Sequence, residues 1–200
     1  MKHRRGRWQS LWRAAPVLLV GAIWLGGPPQ AAEVRDQTVI RRQQRYELHS
    51  ETVIAAPVAP IRRLLADYEN LPRLNPSLKR VRIVERRGDT VRLESNSEFC
   101  VLGLCLPFHW QQDVSQLPQG DIVMAIVPDR GDFKQGQGRW RLLPEREHTR
   151  LVVDLQLTPN FWVPPLFGPW LMQRTLAAEA LETAQNIERL AATENDGGPP

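Results

Sequence analysis

The two cysteines of this 200-residue chain stand five positions apart in "FCVLGLC", residues 99–105, with nothing polar between them. Such a pair can carry redox chemistry, supply half of a metal site, or close a structural disulfide. Redox pairs are usually Cys-x-x-Cys at the start of a helix, and neither this spacing nor this setting matches. His109 could offer a third metal ligand. It lies four residues beyond Cys105 along an extended segment, roughly 13 Å away, too far to share an ion.

A register test favours the staple. If Cys100 faces Cys105 across a four-residue loop, Val101 to Leu104, one face of the hairpin pairs Phe99 with Leu106, Ser97 with Phe108, Ser95 with Trp110 and Val91 with Val114. These are mostly small residues opposite large ones, which pack. The other face pairs Arg92 with Asp113, Thr90 with Ser115 and Asn96 with His109. Both cysteines fall on this polar face. A disulfide closing so short a loop is worth about 2 kcal/mol in the chain-entropy model.

The remaining chemistry-bearing residues do not assemble into a catalytic set. His49, His109 and His148 are scattered, and Asp113, Asp154 and Glu94 fall on the outward face, where charges are expected to be solvated. "RGD" occurs twice, at Arg87–Asp89 and Arg130–Asp132, in places that call for a turn rather than an adhesion motif. "GQGRW" has no helix after it and is no phosphate loop; Gly136 and Gly138 mark a bend or a close approach. No nucleophile with a base, metal cluster or poised acid and base emerges, so catalytic residues, a metal and a cofactor are not expected.

The elements that position these residues follow from periodicity. "QRYELHSETVIAAP" alternates as a strand and stops at Pro57; "PVAPIRRLLADYENLPRLNP" is helical, broken by Pro72 and Pro76 into a helix and a short second turn. From Leu78 to Leu157 the period is two, with turns at "RRGD", "LPQG", "PDRGD" and "PEREH", so six strands form an antiparallel meander. The chain then passes through "TPNFWVPPLFGPW" into a helix over about 169–192. Its stripe is Met172, Leu176, Ala180, Thr183, Ile187 and Leu190, with Glu179, Glu182 and Arg189 off it. The class is α+β: a curved antiparallel sheet against one long C-terminal helix.

By strand parity Leu93, Ser95, Ser97 and Phe99 share a face with Phe108, Trp110 and Gln112 of the next strand. Trp140 and Leu142, then Val153 and Leu155, fall on the same side, with Val81, Ile83 and Leu151. Met172, Leu176 and Ala180 of the helix must cover it. Pattern alone favours a packed core over a pocket. Ser95, Ser97 and Gln112 are the few polar groups there that could orient a ligand.

At "PIRRLLADYENLPRLNPSLKRVRIVE", in the meander with "GQGRWRLLP", and at "PPLFGPWLMQRTLAAEALETAQNIERL", the chain resembles the START-like, helix-grip (SRPBCC) superfamily, most of all its polyketide-cyclase and coenzyme-Q-binding branch. The resemblance spans about residues 44–191. It implies a sheet curved around the last helix with an apolar ligand between them, as in lipid and quinone carriers and aromatase/cyclases. That turns the inward face from core to cavity.

Residues 1–32 differ in kind: a basic "MKHRRGRWQSLWR", an apolar stretch of 13 residues and the exit "PPQAA". This is the layout of an export signal, and the apolar run is short of the roughly 17–25 residues that span a bilayer. Imperfect residues at the cleavage point leave an uncleaved tether open. Residues 33–43 read as a polar lead, 44–192 as the domain and 193–200 as a disordered tail. The first 32 residues hold five bases and no acid, leaving 21 bases against 22 acids beyond them. The pI of 9.6 thus belongs largely to the leader and implies no nucleic-acid partner.

In a meander alternate turns share an end of the sheet, so Val101, Leu102 and Leu104 should lie near Phe161, Trp162, Phe167 and Trp170. Either the two segments simply pack together, or they form a cavity mouth that touches a membrane, braced by Cys100–Cys105. The expected function is an exported carrier of an apolar molecule, lipid, isoprenoid quinone or similar. The alternatives are a cyclase or dehydratase type of enzyme, and a ligand-free module for a membrane-protein partner.

Overall fold

The computed structural model describes residues 32–101, 104–163 and 168–196. The export signal expected over residues 1–32, apart from Ala32, lies outside the described residues, as do Leu102 and Phe167 of the expected mouth.

The stretch expected as a polar lead is a strand, β1 (Glu33–Arg42), which turns through Gln43 (φ 58°) and pairs antiparallel with β2 (Arg45–Ile54). Being an edge strand, it carries no clean alternation: most of its side chains are exposed or half-buried, and Gln37 donates to the carbonyl of Ala177 at 3.0 Å. Edge strands need bury only one flank, so polar residues are tolerated there. The strand adds an eighth member to the seven read from the sequence.

After β2 the chain forms α1 (Val58–Ala66) and a 3₁₀ turn (Tyr68–Arg73) that contains Pro72. The meander follows as β3 (Leu78–Arg87), β4 (Thr90–Val101), β5 (Leu104–Gln116), β6 (Ile122–Gly131), β7 (Phe133–Glu145) and β8 (His148–Pro159). The spatial order is β1-β2-β8-β7-β6-β5-β4-β3, all antiparallel and not closed into a barrel. Because β3 is the far edge from β1, α1 and the 3₁₀ turn must carry the chain across the concave side.

The final helix, α2, runs Gly168–Asp196, four residues into the stretch expected as a tail. Glu188 on α2 accepts from the Ala55 amide at 2.8 Å, and Asn186 donates to the Leu74 carbonyl at 3.0 Å. The Glu188 and Gln37 bonds tie the helix to the β1–β2 side of the sheet, and the Asn186 bond ties it to the segment that leads into β3. Its C-terminal half buries Ala184, Ile187, Leu190 and Ala191 against Ile54, Ile61, Leu64, Leu142 and Leu151. A second apolar cluster, Val81, Val91, Leu93, Val114, Ile122 and Met124 among them, lies toward the β3–β6 side. Leu65, Leu71 and Trp140 border both.

The β4–β5 register is the one the cysteine spacing implied, from Thr90 opposite Ser115 to Cys100 opposite Cys105. It extends one pair further, Val101 opposite Leu104, into what was expected to be a four-residue loop. Cys100 and Cys105 form a disulfide, with Cα atoms 3.9 Å apart, on the exposed face. Glu98 lies beside them, but sulfurs joined in a disulfide present no thiolate to a metal.

"PDRGD" is more than a tight turn. The β5–β6 ladder passes from Gln112 opposite Ile126 to Trp110 opposite Gly131, so β6 carries a bulge that bends the sheet. Gly131 has φ 142°, and a Cβ there would stand 2.1 Å from the His109 carbonyl oxygen. Only glycine fits. The Asp of this second RGD is a pin: Asp132 accepts from the His109 amide at 2.7 Å and donates its own amide to the His109 carbonyl at 2.8 Å. Its carbonyl accepts from the Asn160 amide at 2.8 Å, holding the exit of β8 beside β5.

The outward carboxylates, expected to be solvated, are paired. Arg92 grips Asp113 through two bonds of 2.7 Å, Arg82 holds Glu94, and Asp154 is shared by His49 and Arg141, each at 2.7 Å. Cross-strand pairing places each partner directly opposite or one strand over, which parity alone does not resolve.

Candidate functional site: an apolar cavity with one polar pole

Between the concave sheet and α2 lies a cavity of about 290 Å³, near the small end of the roughly 300–1,000 Å³ common for ligand sites. From the expected set it is lined by Leu93, Ser95, Ser97 and Phe99 of β4, and by Trp110 and Gln112 of β5. Trp140, Val153 and Leu155 supply the β7–β8 wall, and Leu176 and Ala180 the helical one. Trp140 can lie across the sheet because position 138 is glycine: a Cβ there would sit 2.9 Å from the indole.

Three residues expected in the cavity lie elsewhere. Leu142 is buried in the cluster beneath the C-terminal half of α2, Met172 is half-buried a turn before the lining begins, and Phe108 belongs to an aromatic group at the cavity's end. There Phe108 meets Phe99 (ring centroids 5.4 Å), Phe133 (6.3 Å) and Phe161 (5.1 Å), and Trp110 meets Phe133 edge-on at 5.6 Å. Such contacts are worth about 0.5–1.5 kcal/mol each beyond their burial.

This group divides the expected mouth residues. Phe161 packs inward on Phe108 and Phe133, whereas Trp162 and Trp170 are 77% and 59% exposed, and Leu106, next in the chain after the disulfide, is 49% exposed. Arg174 lies over the Trp170 ring at 5.6 Å. Val101 and Leu104 pair with each other at the hairpin end.

Several lining residues were not legible beforehand. Leu48, Ser50 and Thr52 of β2 face inward because they oppose Leu155, Val153 and Leu151 of β8, a pairing across about a hundred residues of chain. Leu65, Tyr68 and Leu71 reach in from α1 and the 3₁₀ turn. Burial pushes the Tyr68 phenol above its ordinary range, with Arg86 opposing, so it stays protonated.

The most consequential addition is Glu179. The helix stripe predicts it outside, yet it lines the cavity. Ser77 Oγ donates to Glu179 Oε1, while Glu179 Oε2 is buried with no partner among the described residues. Ser77 is itself held in place: its amide donates to Asn75 Oδ1 at 2.9 Å, and its carbonyl accepts from the Glu98 amide at 2.8 Å. Close by, opposite Leu78 in the β3–β4 ladder, Ser97 presents an Oγ that is also buried and unpartnered. Gln112, in contrast, already accepts from Trp110 Nε1 at 3.0 Å. The signal was present in the spacing: Glu179 follows Leu176 by three and precedes Thr183 by four, the neighbours it shares a face with.

A curved antiparallel sheet gripping a long helix around an apolar cavity defines a START-like helix-grip protein. The chain belongs to the family described as polyketide cyclase / dehydrase and lipid transport, which it matches over residues 54–185. The fold is shared with a protein of Thermus thermophilus at 23% identity, covering 74% of this chain and 98% of that one, TM-score 0.62. It is shared with a STAR-related lipid transfer protein of Xanthomonas axonopodis at 12% identity, covering 78% and 98%, TM-score 0.60. The Zhui aromatase/cyclase from Streptomyces sp. R1128 matches at 16% identity over 76% and 94%, TM-score 0.55. A search of curated protein sequences finds no match.

Proposed function

We propose that the protein is an exported carrier that holds one apolar molecule, a lipid, an isoprenoid quinone or a similar compound, at or near a membrane. The observation that carries this reading is the cavity itself, walled by aliphatic and aromatic side chains from the sheet, both helices and the 3₁₀ turn. Family membership supports an apolar cargo, and the likeness to a STAR-related lipid transfer protein agrees in fold. The basic and apolar leader of residues 1–32 supports export, and the exposed Trp162 and Trp170 support contact with a lipid surface.

Filling the cavity tests carriage. Ala180→Phe adds a ring to the helical wall at a cost of about 1–3 kcal/mol. Binding of a neutral apolar fluorophore, measured by titration, should fall at least about tenfold while circular dichroism stays native. Undiminished binding in that variant contradicts the reading. Recovery of the protein only from the cytosol of fractionated cells contradicts the export part.

One observation favours the second reading, an enzyme of cyclase or dehydratase type. Glu179 places a carboxyl group in the cavity, where the sequence offers Ser95, Ser97 and Gln112 but no carboxylate. Turnover of a polyketide-like substrate that disappears in Glu179→Gln would establish it; absence of turnover across such substrates leaves the carrier.

A further inference from the structure

We infer that the pole formed by Glu179, Ser77 and Ser97 selects the cargo's polar end: an uncharged hydroxyl, alcohol or phenol, and not a carboxylate or phosphate. The inference rests on the carrier reading and sharpens it. In a cavity otherwise walled mainly by apolar groups, Glu179 Oε2 and Ser97 Oγ are buried without a hydrogen-bond partner among the described residues. A buried polar atom left unsatisfied costs free energy that a bound partner recovers.

The chemistry of the two atoms sets what that partner must be. A carboxylate oxygen accepts only, so the ligand must donate to it. A serine hydroxyl donates or accepts, so it can donate to the same ligand oxygen. One ligand O–H seated between them would satisfy both, giving its proton to Oε2 and taking one from Ser97. An anionic head group has no proton to give and meets like charge at short range in a medium of low dielectric. Ser77 occupies Oε1, which leaves Oε2 as the free acceptor and fixes the carboxyl plane.

The helix geometry points the same way. Glu179 and Asn186, seven residues and two turns apart, both engage the segment from Leu74 to Ser77. Asn186 already ties that segment to α2 through the Leu74 carbonyl. Clamping does not call for a second bond whose carboxylate leaves one oxygen in the cavity.

The test compares a matched pair, 1-dodecanol and dodecanoate, as competitors of the neutral probe N-phenyl-1-naphthylamine, on the wild-type protein and on Glu179→Gln. In the wild type the alcohol should displace the probe at about tenfold lower concentration than the acid. In Glu179→Gln the carboxamide keeps an acceptor for Ser77 and turns an N–H donor to the cavity, so the preference should vanish or reverse. A role limited to holding α2 would weaken both competitors alike. Ser97→Ala provides an independent arm, with an expected two- to fivefold loss for the alcohol alone. Equal displacement by acid and alcohol in the wild type overturns the inference while leaving the carrier reading intact. An unchanged preference in Glu179→Gln overturns it too. Failure of the probe and both competitors to bind overturns the carrier reading beneath it.

Discussion

Residue by residue, the polar groups separate into those that hold the sheet and those that face the cavity. His49 shows the first kind. Its Nδ1 lies 2.7 Å from Asp154 Oδ1 and its Nε2 3.6 Å from Glu51. The hydrogen bond to Asp154 raises the imidazole above its ordinary 6.5; burial opposes this, and Asp154, Glu51 and Asp36 add to it as charges. Burial would lift the Asp154 carboxyl, but its bonds to His49 and Arg141 outweigh that and hold it low. A base raised in the folded state contributes stability that is complete below its unfolded value and is lost as pH climbs through the folded one. The His49 ring should therefore titrate above 6.5 by NMR, and Asp154→Asn should bring it down. Chemical denaturation should show a loss as pH rises from about 6 to 8 of less than about 1 kcal/mol, because the pair is partly exposed and screened. A midpoint at or below 6.5 contradicts the pairing. Sequence parity places His49 and Asp154 on the outer face but cannot say that they meet, since β2 and β8 lie about a hundred residues apart in the chain. Glu179 escaped for a related reason: a charged residue beside an apolar stripe reads as solvent-facing until its partner, Ser77, is located.

Among the elements, the cysteine hairpin was the most legible, because a proposed Cys100–Cys105 pair fixes every other pair in β4 and β5 at once. β1 was the least legible: an edge strand with one flank to solvent has no periodicity to read. Between these extremes lies the end of the sheet where β5, the β6 bulge and the exit of β8 converge. Asp132 ties the three together, and Phe161 seals them from within, which leaves Trp162 and Trp170 outside. Their exposure is wasteful in water and useful at the interface of a bilayer, where an indole keeps its ring in the apolar layer and its N–H wet. Replacing both by serine should reduce co-sedimentation with liposomes at least about fivefold and change the melting temperature little. Equal sedimentation of the variant and the wild type contradicts membrane contact by this segment.

At the scale of the molecule, the division of labour follows from the sheet order. Toward its C-terminus α2 packs Ala184, Ile187, Leu190 and Ala191 against β2, β7, β8 and α1 as core, while Leu176 to Ile187 also line the cavity. The helix-grip architecture was readable from element order, and most of the β4–β5 and β7–β8 cavity wall from parity. The wall contributed by β2 and the contact between Ser77 and Glu179 depend on long-range pairings that no local pattern encodes, whereas Ser97 follows from parity and Glu179 from its spacing to Leu176 and Thr183. A bound molecule stabilises by mass action, by about 2.7 kcal/mol at a hundred times its dissociation constant. The measurement that bears most directly on the central claim is solvent extraction of the purified full chain, with mass spectrometry of the extract. The account predicts a single apolar class carrying a hydroxyl, near one molecule per chain, and a melting temperature that falls once it is removed. An extract without such a molecule, from a protein whose melting temperature no lipid, alcohol or quinone raises, would contradict it.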